Sequence, residues 1–156
     1  MTQFRLPDVR VVLDTQVILR GAVAANKSLT AKIYEVWIDS RFELLFSEAT
    51  LNEIERVLQR PEVLRKLQFT ATEGRALVLF IRRRGQLVEP VVRIQVSRDP
   101  DDDKFLECAV AGQATCFVTA DHDLLSLRNI EGIPIMDIPT FWTTLSARLR
   151  EAPAPE

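Results

Sequence analysis

The sequence predicts an α/β fold of three layers, with a central, mostly parallel sheet between two layers of helices. Two patterns carry that reading. Short apolar runs alternate along the chain with stretches whose apolar residues recur at helical spacing, as βαβ units require. The runs, such as residues 9–13 and 116–119, are continuously apolar rather than alternating, which fits strands covered on both faces. The length of 156 residues suits one domain over 1–150, with a Pro/Ala tail at 151–156 expected to be disordered.

The elements follow in order. A strand at 9–13 ends at Asp14, a helix is expected from about residue 17 to 24, and a second helix over 28–40 places Leu29, Ile33, Val36 and Trp37 on one face. A strand at 42–46 leads to Ser47, an N-cap type, and to a helix reaching about residue 59 with Leu51, Ile54, Val57 and Leu58 inward. Arg60-Pro61 closes it, since the residue before proline disfavours helical backbone. Thr70 and Glu73 have capping-box spacing and open a helix that runs to about Arg84 and stops at Gly85. Extended segments are expected at 86–89 and 91–96, split by Pro90. Asp99-Pro100 then offers an N-cap and a proline at the first helical position, for a helix over 100–112 burying Phe105, Leu106, Ala109 and Val110. A strand at 116–119, a short helix at 122–127, a strand at 134–137 and a helix at 139–150 complete the chain, the last with Phe141, Trp142 and Leu145 inward. Trp37 and Trp142 lie in apolar stripes and read as core rather than as stacking platforms for bases.

Composition excludes several classes. The net charge of −2 rules out a generally basic nucleic-acid binder, so a polyanion must be met by a clustered basic face or through a metal. Cys108 and Cys116 form no CxxC and read as buried, reduced thiols. Residues 1–10 lack the basic region and apolar run of a signal peptide, and no apolar stretch approaches the roughly 20 residues of a membrane span. The expectation is a soluble, cytoplasmic protein with no membrane partner.

Four acids stand out by position. Asp14 ends the first strand, Asp121 follows the strand at 116–119, Asp103 lies in the first turn after Asp99, and Glu53 sits between Leu51 and Ile54. Each alone has an ordinary structural role: turn, helix cap, dipole partner or solvated face. Gathered at the carboxyl edge of a parallel sheet, where ligands bind in such folds, they would repel one another. At about 4 Å and an effective dielectric near 20, each pair costs roughly 4 kcal/mol. Either a proton is shared or a divalent cation lies between them. All-oxygen donors suit Mg²⁺ or Mn²⁺, and the single His122 cannot build a multi-histidine zinc site. Metal-assisted phosphodiester hydrolysis would follow. No GxxxxGK[ST] or GxGxxG loop is present to hold a nucleotide cofactor.

Four segments appear in a familiar order: Val11-Val-Leu-Asp-Thr15, Leu51-Asn-Glu-Ile-Glu-Arg-Val-Leu58, Asp99-Pro-Asp-Asp-Asp-Lys-Phe-Leu-Glu-Cys-Ala109 and Val118-Thr-Ala-Asp-His-Asp-Leu-Leu125. Over about residues 9–145 the chain resembles the PIN-domain family, and within it the VapC-like ribonucleases that serve as toxins of toxin–antitoxin systems. The resemblance implies a PIN fold, a Mg²⁺- or Mn²⁺-dependent ribonuclease acting on single-stranded RNA, a small antitoxin partner and a homodimer. Carried over by position, Asp14, Glu53, Asp103 and Asp121 form the acidic quartet, with Asp14, Asp103 and Asp121 as metal ligands. Asp123 is a possible fifth acid, and Thr15 and Thr119 match hydroxyls that orient a carboxylate or a metal water. The family usually carries Asn after Asp-Thr, where this chain has Gln16, which shifts the amide by a methylene and bears on catalytic competence.

Arg82, Arg83 and Arg84 sit at a helix end, where cations suit the dipole, and read first as a solvated face. The functional alternative is an RNA-backbone clamp formed with Arg93 and Arg98, and Arg56, Arg60 and Arg65 could serve similarly. Two further readings stay open. A lapsed PIN-like module would bind RNA or a protein without turnover. A phosphohydrolase of small substrates is disfavoured, because Asp14-Thr15-Gln16 lacks the second Asp of a DxD nucleophile motif.

Overall fold

The computed structural model describes residues 9–23 and 27–151. Most of the segment read for a signal peptide, and the tail beyond Glu151, lie outside them. The strands are β1 (Arg10–Leu13), β2 (Glu43–Phe46), β3 (Gln86–Leu87), β4 (Cys116–Val118), β5 (Asn129–Ile130) and β6 (Ile133–Met136), in the sheet order β3-β2-β1-β4-β6-β5. All neighbours are parallel except β5 and β6. Val11 aligns with Leu44 on one side and Cys116 on the other. Val11 and Val12 point to opposite faces yet are 0% and 1% exposed, so the sheet is covered on both sides.

One group of packed helices is α1 (Thr15–Gly21), α2 (Leu29–Ile38) and α8 (Ile138–Glu151); the other is α3 (Glu48–Val57), α5 (Ala71–Arg84) and α6 (Pro100–Ala111). Two short helices, α4 (Pro61–Leu67) and α7 (His122–Leu125), connect the rest. The layered α/β architecture is the one expected from the alternation of runs. Its core holds Phe117, Leu106, Ile54 and Leu44, all fully buried. Trp37 is core as expected, with Tyr34 and Phe80 edge-on at 5.5 and 5.2 Å. Trp142 is only half-buried, and the Lys32 ammonium lies 5.8 Å from its ring. Cys108 and Cys116 are buried free thiols, each pushed up to about 12 by burial.

Several elements differ from expectation for identifiable reasons. Pro61 ends one helix but also begins another, since a proline at the first helical position gives up no needed N–H; that helix, α4, is invisible to a reading that treats Pro only as a stop. Helix α1 starts at Thr15 rather than 17 because Asp14 caps it, its carboxylate accepting from Gln16 N–H. Residues 91–96 form no strand: β3 has two residues and Pro90 follows, leaving Val91, Val92 and Val96 exposed. Strand β5 pairs with β6 through the two-residue turn Glu131-Gly132, whose φ values of 51° and 82° are those of a tight hairpin. Val110 is half-buried, and Cys108 takes the buried place instead.

Gly85 does end α5, but through lack of room and not a left-handed backbone. Its φ is −80°, and an added Cβ would lie 2.7 Å from Phe46 Cδ1 and 2.8 Å from the Ile81 carbonyl oxygen. Gly85→Ala is therefore expected to destabilise the fold by about 1–3 kcal/mol, read as a lower urea midpoint with an unchanged slope.

No helix among the described residues is long and apolar enough to cross a membrane.

Candidate active site

The sheet changes direction between β1 and β4, with β2 and β3 lying beyond β1 and β6 and β5 beyond β4. A crevice opens at the carboxyl ends of the two strands at such a switch point. Asp14 follows β1 directly, and Thr119 follows β4 directly. Asp14 N–H donates to the Val118 carbonyl at 3.0 Å, and so the strand ladder itself sets the acid against its neighbour.

The side chains extend that order. The buried Thr119 hydroxyl donates to Asp14 Oδ2 at 2.5 Å, and its oxygen accepts from Asp121 N–H at 3.1 Å. Gln16 N–H donates to Asp14 Oδ1 at 2.8 Å, and Asp123 N–H to Asp121 Oδ1 at 2.8 Å. Each aspartate thus caps the helix that follows it, α1 or α7. Capping fixes the carboxylates and turns them toward the crevice.

The crevice has a volume of about 400 Å³. Its walls bear six carboxylates, Asp14, Glu53, Asp99, Asp101, Asp102 and Asp121, and two guanidiniums, Arg20 and Arg60. Thr15 and Gln16 also line it. The sequence-predicted Asp14, Glu53 and Asp121 are therefore brought together. Glu53 reaches the site from α3, buried and held by Arg56 Nη2 at 2.6 Å. Arg56 also lies 3.7 Å from Asp101, which Lys104 contacts at 2.8 Å.

Asp103 lies apart from these acids. It is buried on the other side of α6, where its Oδ1 accepts from Ser97 N–H at 2.9 Å, from Val96 N–H at 3.2 Å and from the Ser97 hydroxyl. It clamps the 96–97 backbone onto the helix and does not line the crevice. Asp102 lines it instead. In a run of three aspartates successive side chains are rotated by about 100°, so only the phase of the helix selects one. That phase was legible: Asp102 precedes Phe105, Leu106 and Ala109 by three, four and seven residues, the buried stripe of α6. Asp123 is exposed outside the crevice, with Arg98 at 4.0 Å. Arg82 pairs with Glu48 at 2.7 and 2.8 Å, and Arg84 donates to the Ile38 carbonyl and Ser40 at 2.6 Å. Neither these two, nor Arg83, nor Arg98 lines the crevice.

Two of the crevice carboxyls, Asp14 and Asp102, are raised, while Lys104 holds Asp101 below its usual value. Burial first, and then the charges of Asp99, Asp121, Asp14 and Asp103, push the Asp102 carboxyl up to about 6. Asp14 is raised as well, by burial against the opposing pull of Thr119 and Gln16, with Asp121 adding to the rise. Asp14, Asp102 and Asp121 have no ion pair with any described residue. As the side chains lie, no three His, Cys, Asp or Glu groups among the described residues are arranged to hold a metal. In chemistry the donors do fit a hard dication: all are carboxylate oxygens.

Thr119→Val removes the hydroxyl whose hydrogen bond opposes the rise of the Asp14 carboxyl, and with it the acceptor for Asp121 N–H. The fold should lose about 1–3 kcal/mol, and any metal-dependent activity should fall about 10–100-fold. Parallel thermal melts and turnover assays check both.

An acidic crevice at the switch point of a parallel α/β sheet defines the class of this protein by fold and site. The sequence profile of the PIN domain family matches residues 10–123, and the chain belongs to that family. The uncharacterized protein MJ1680 of Methanocaldococcus jannaschii is 29% identical over 123 residues, spanning 78% of this chain and 76% of its own. Among solved structures, PAE2754 from Pyrobaculum aerophilum superposes with a TM-score of 0.57 at 20% identity, over 90% of this chain and 91% of that one. VapBC2 from Rickettsia felis, bound to a DNA fragment from their promoter, superposes at 0.56 and 10% identity, over 83% and 98%. These likenesses show the fold.

Proposed function

We propose that the chain is a Mg²⁺- or Mn²⁺-dependent endoribonuclease that hydrolyses phosphodiester bonds of single-stranded RNA. The observation that carries this reading is the convergence of Asp14, Asp102 and Asp121, none in a direct ion pair with a described residue, on one crevice at the carboxyl edge of β1 and β4. These three would hold the ion, with Glu53 beside them. Such an ion, when bound, supplies Lewis acidity to a phosphodiester oxygen and makes a water acidic enough to attack. The chain contributes fixed orientation. Thr119 and the Gln16 amide hold both oxygens of Asp14, the Asp123 amide holds Asp121, and Arg56 keeps Glu53 against the wall.

The same reading makes the protein the toxin of a toxin–antitoxin pair, with a small antitoxin as partner and a homodimer as its working form. Membership of the PIN domain family and the likeness to the VapBC2 structure support it. Buried reduced thiols fit a cytoplasmic setting.

The test is incubation of purified protein with a single-stranded RNA and Mg²⁺ or Mn²⁺. Product that EDTA abolishes and readdition of metal restores is expected. Retention of RNA with no metal-dependent product would instead make the chain a non-catalytic binding module, with Gln16 exposed in the crevice as its mark.

A further inference from the structure

Accepting the nuclease reading, we infer that Arg20 and Arg60 are the grips that hold the phosphates of the RNA strand at the mouth of the acidic crevice. The structure sorts the arginines by what they already hold. Arg10 is engaged by Glu43 at 2.8 Å, Arg56 by Glu53 at 2.6 Å, Arg82 by Glu48, and Arg84 by Ile38 and Ser40. Arg20 and Arg60 are exposed and line the crevice, and neither guanidinium has a hydrogen bond or ion pair with a described residue, although six carboxylates share the same walls and the Arg20 charge is felt at Asp14. A guanidinium left unpaired in such surroundings has its full fork of donors available to an anion from outside.

Their placement suits that use. Arg20 lies in the last turn of α1, the helix that Asp14 caps. Arg60 is the N-cap residue of α4, just beyond the helix that carries Glu53. Cations therefore approach the crevice from two separate elements, each rooted beside an acid of the site. A polyanion brought to six carboxylates needs such flanking charge to stay in register, because phosphate contacts position the strand. The volume of about 400 Å³ lies at the small end for ligand clefts. It takes about one nucleotide unit, which a single strand presents without unpairing. Phe105, the one aromatic residue of the lining, is 4% exposed and gives bases nothing to stack on. Binding is thus electrostatic, sequence-tolerant and steeply salt-dependent.

A labelled eight-nucleotide RNA, titrated by fluorescence anisotropy at several salt concentrations, tests this. An Asp14→Asn background keeps the probe intact. Adding Arg20→Ala and Arg60→Ala is expected to flatten the plot of log affinity against log salt by about 1.4, or about 0.7 per lost phosphate contact. Affinity should fall about tenfold per arginine, and Arg20→Lys with Arg60→Lys should restore much of the slope. In the otherwise wild-type enzyme the alanine pair should raise KM more than it lowers kcat. An unchanged slope in a double variant whose thermal midpoint matches its parent overturns the inference. So does a slope that flattens only with Arg82→Ala and Arg83→Ala, which would place the clamp at the end of α5. If the enzyme cleaves no RNA, the nuclease reading fails, while the anisotropy slope still decides whether these two arginines grip it.

Discussion

Asp14→Asn is expected to reduce metal-dependent RNA cleavage by roughly 10³-fold while leaving the fold intact, the scale on which removal of one preorganised electrostatic group acts. Asp14 is the acid most constrained by the sheet: its amide is in the β1–β4 ladder, Oδ1 caps α1 and Oδ2 receives the Thr119 hydroxyl. Asparagine can keep both contacts. Its oxygen can accept from Gln16 N–H, and its NH₂ can face the Thr119 oxygen, since a hydroxyl both donates and accepts. What is lost is the negative charge. Burial and Asp121 both work against that charge in the isolated chain, so its removal should not lower the melting temperature. Paired assays of cleavage and melting, with circular dichroism to check the fold, decide this. Cleavage by the variant within a few-fold of wild type would remove Asp14 from the site.

Asp102→Asn and Asp103→Asn should have opposite effects, although the residues are adjacent. The Asp102 carboxyl keeps its proton to about pH 6 in the folded chain, against 3.8 when unfolded. The folded state therefore binds more protons between these values, and stability falls as pH rises through that window, with the full penalty present at pH 7. Asp102 is partly solvated, so screening reduces the penalty to about 1 kcal/mol. Asp102→Asn should raise the metal-free melting temperature at pH 7 by a few degrees, flatten the pH dependence between 4 and 6, and abolish cleavage. Asp103→Asn replaces the acceptor for two amides and a hydroxyl at residues 96–97. It should lose about 1–3 kcal/mol of stability and leave most of the cleavage. Melting curves across pH with and without EDTA, beside turnover rates, separate the two. Retained cleavage in Asp102→Asn with loss in Asp103→Asn would restore the assignment that the sequence alone suggested.

That contrast shows where the sequence is informative. Helix beginnings are local events. Ser47, Thr70 and Asp99 were identifiable as caps because each needs only a short polar side chain, and the amides it satisfies lie two or three residues on. Strand β1 was identifiable because a strand buried on both faces has no polar alternation to imitate. Pro61 misled because one residue can stop one helix and start the next. Residues 91–96 misled because β-branched composition shows fitness for a strand, while pairing depends on a neighbour that the short β3 does not supply.

The order of the elements, the buried runs and the acids at strand ends were determined by the sequence itself, because capping, periodicity and burial of apolar side chains act over a few residues. The sheet order and the sorting of arginines into engaged and free were decided only in three dimensions. Those outcomes depend on which helix face meets the sheet and on distances between residues as far apart as Asp14 and Thr119, separated by 105 positions yet joined by one hydrogen bond.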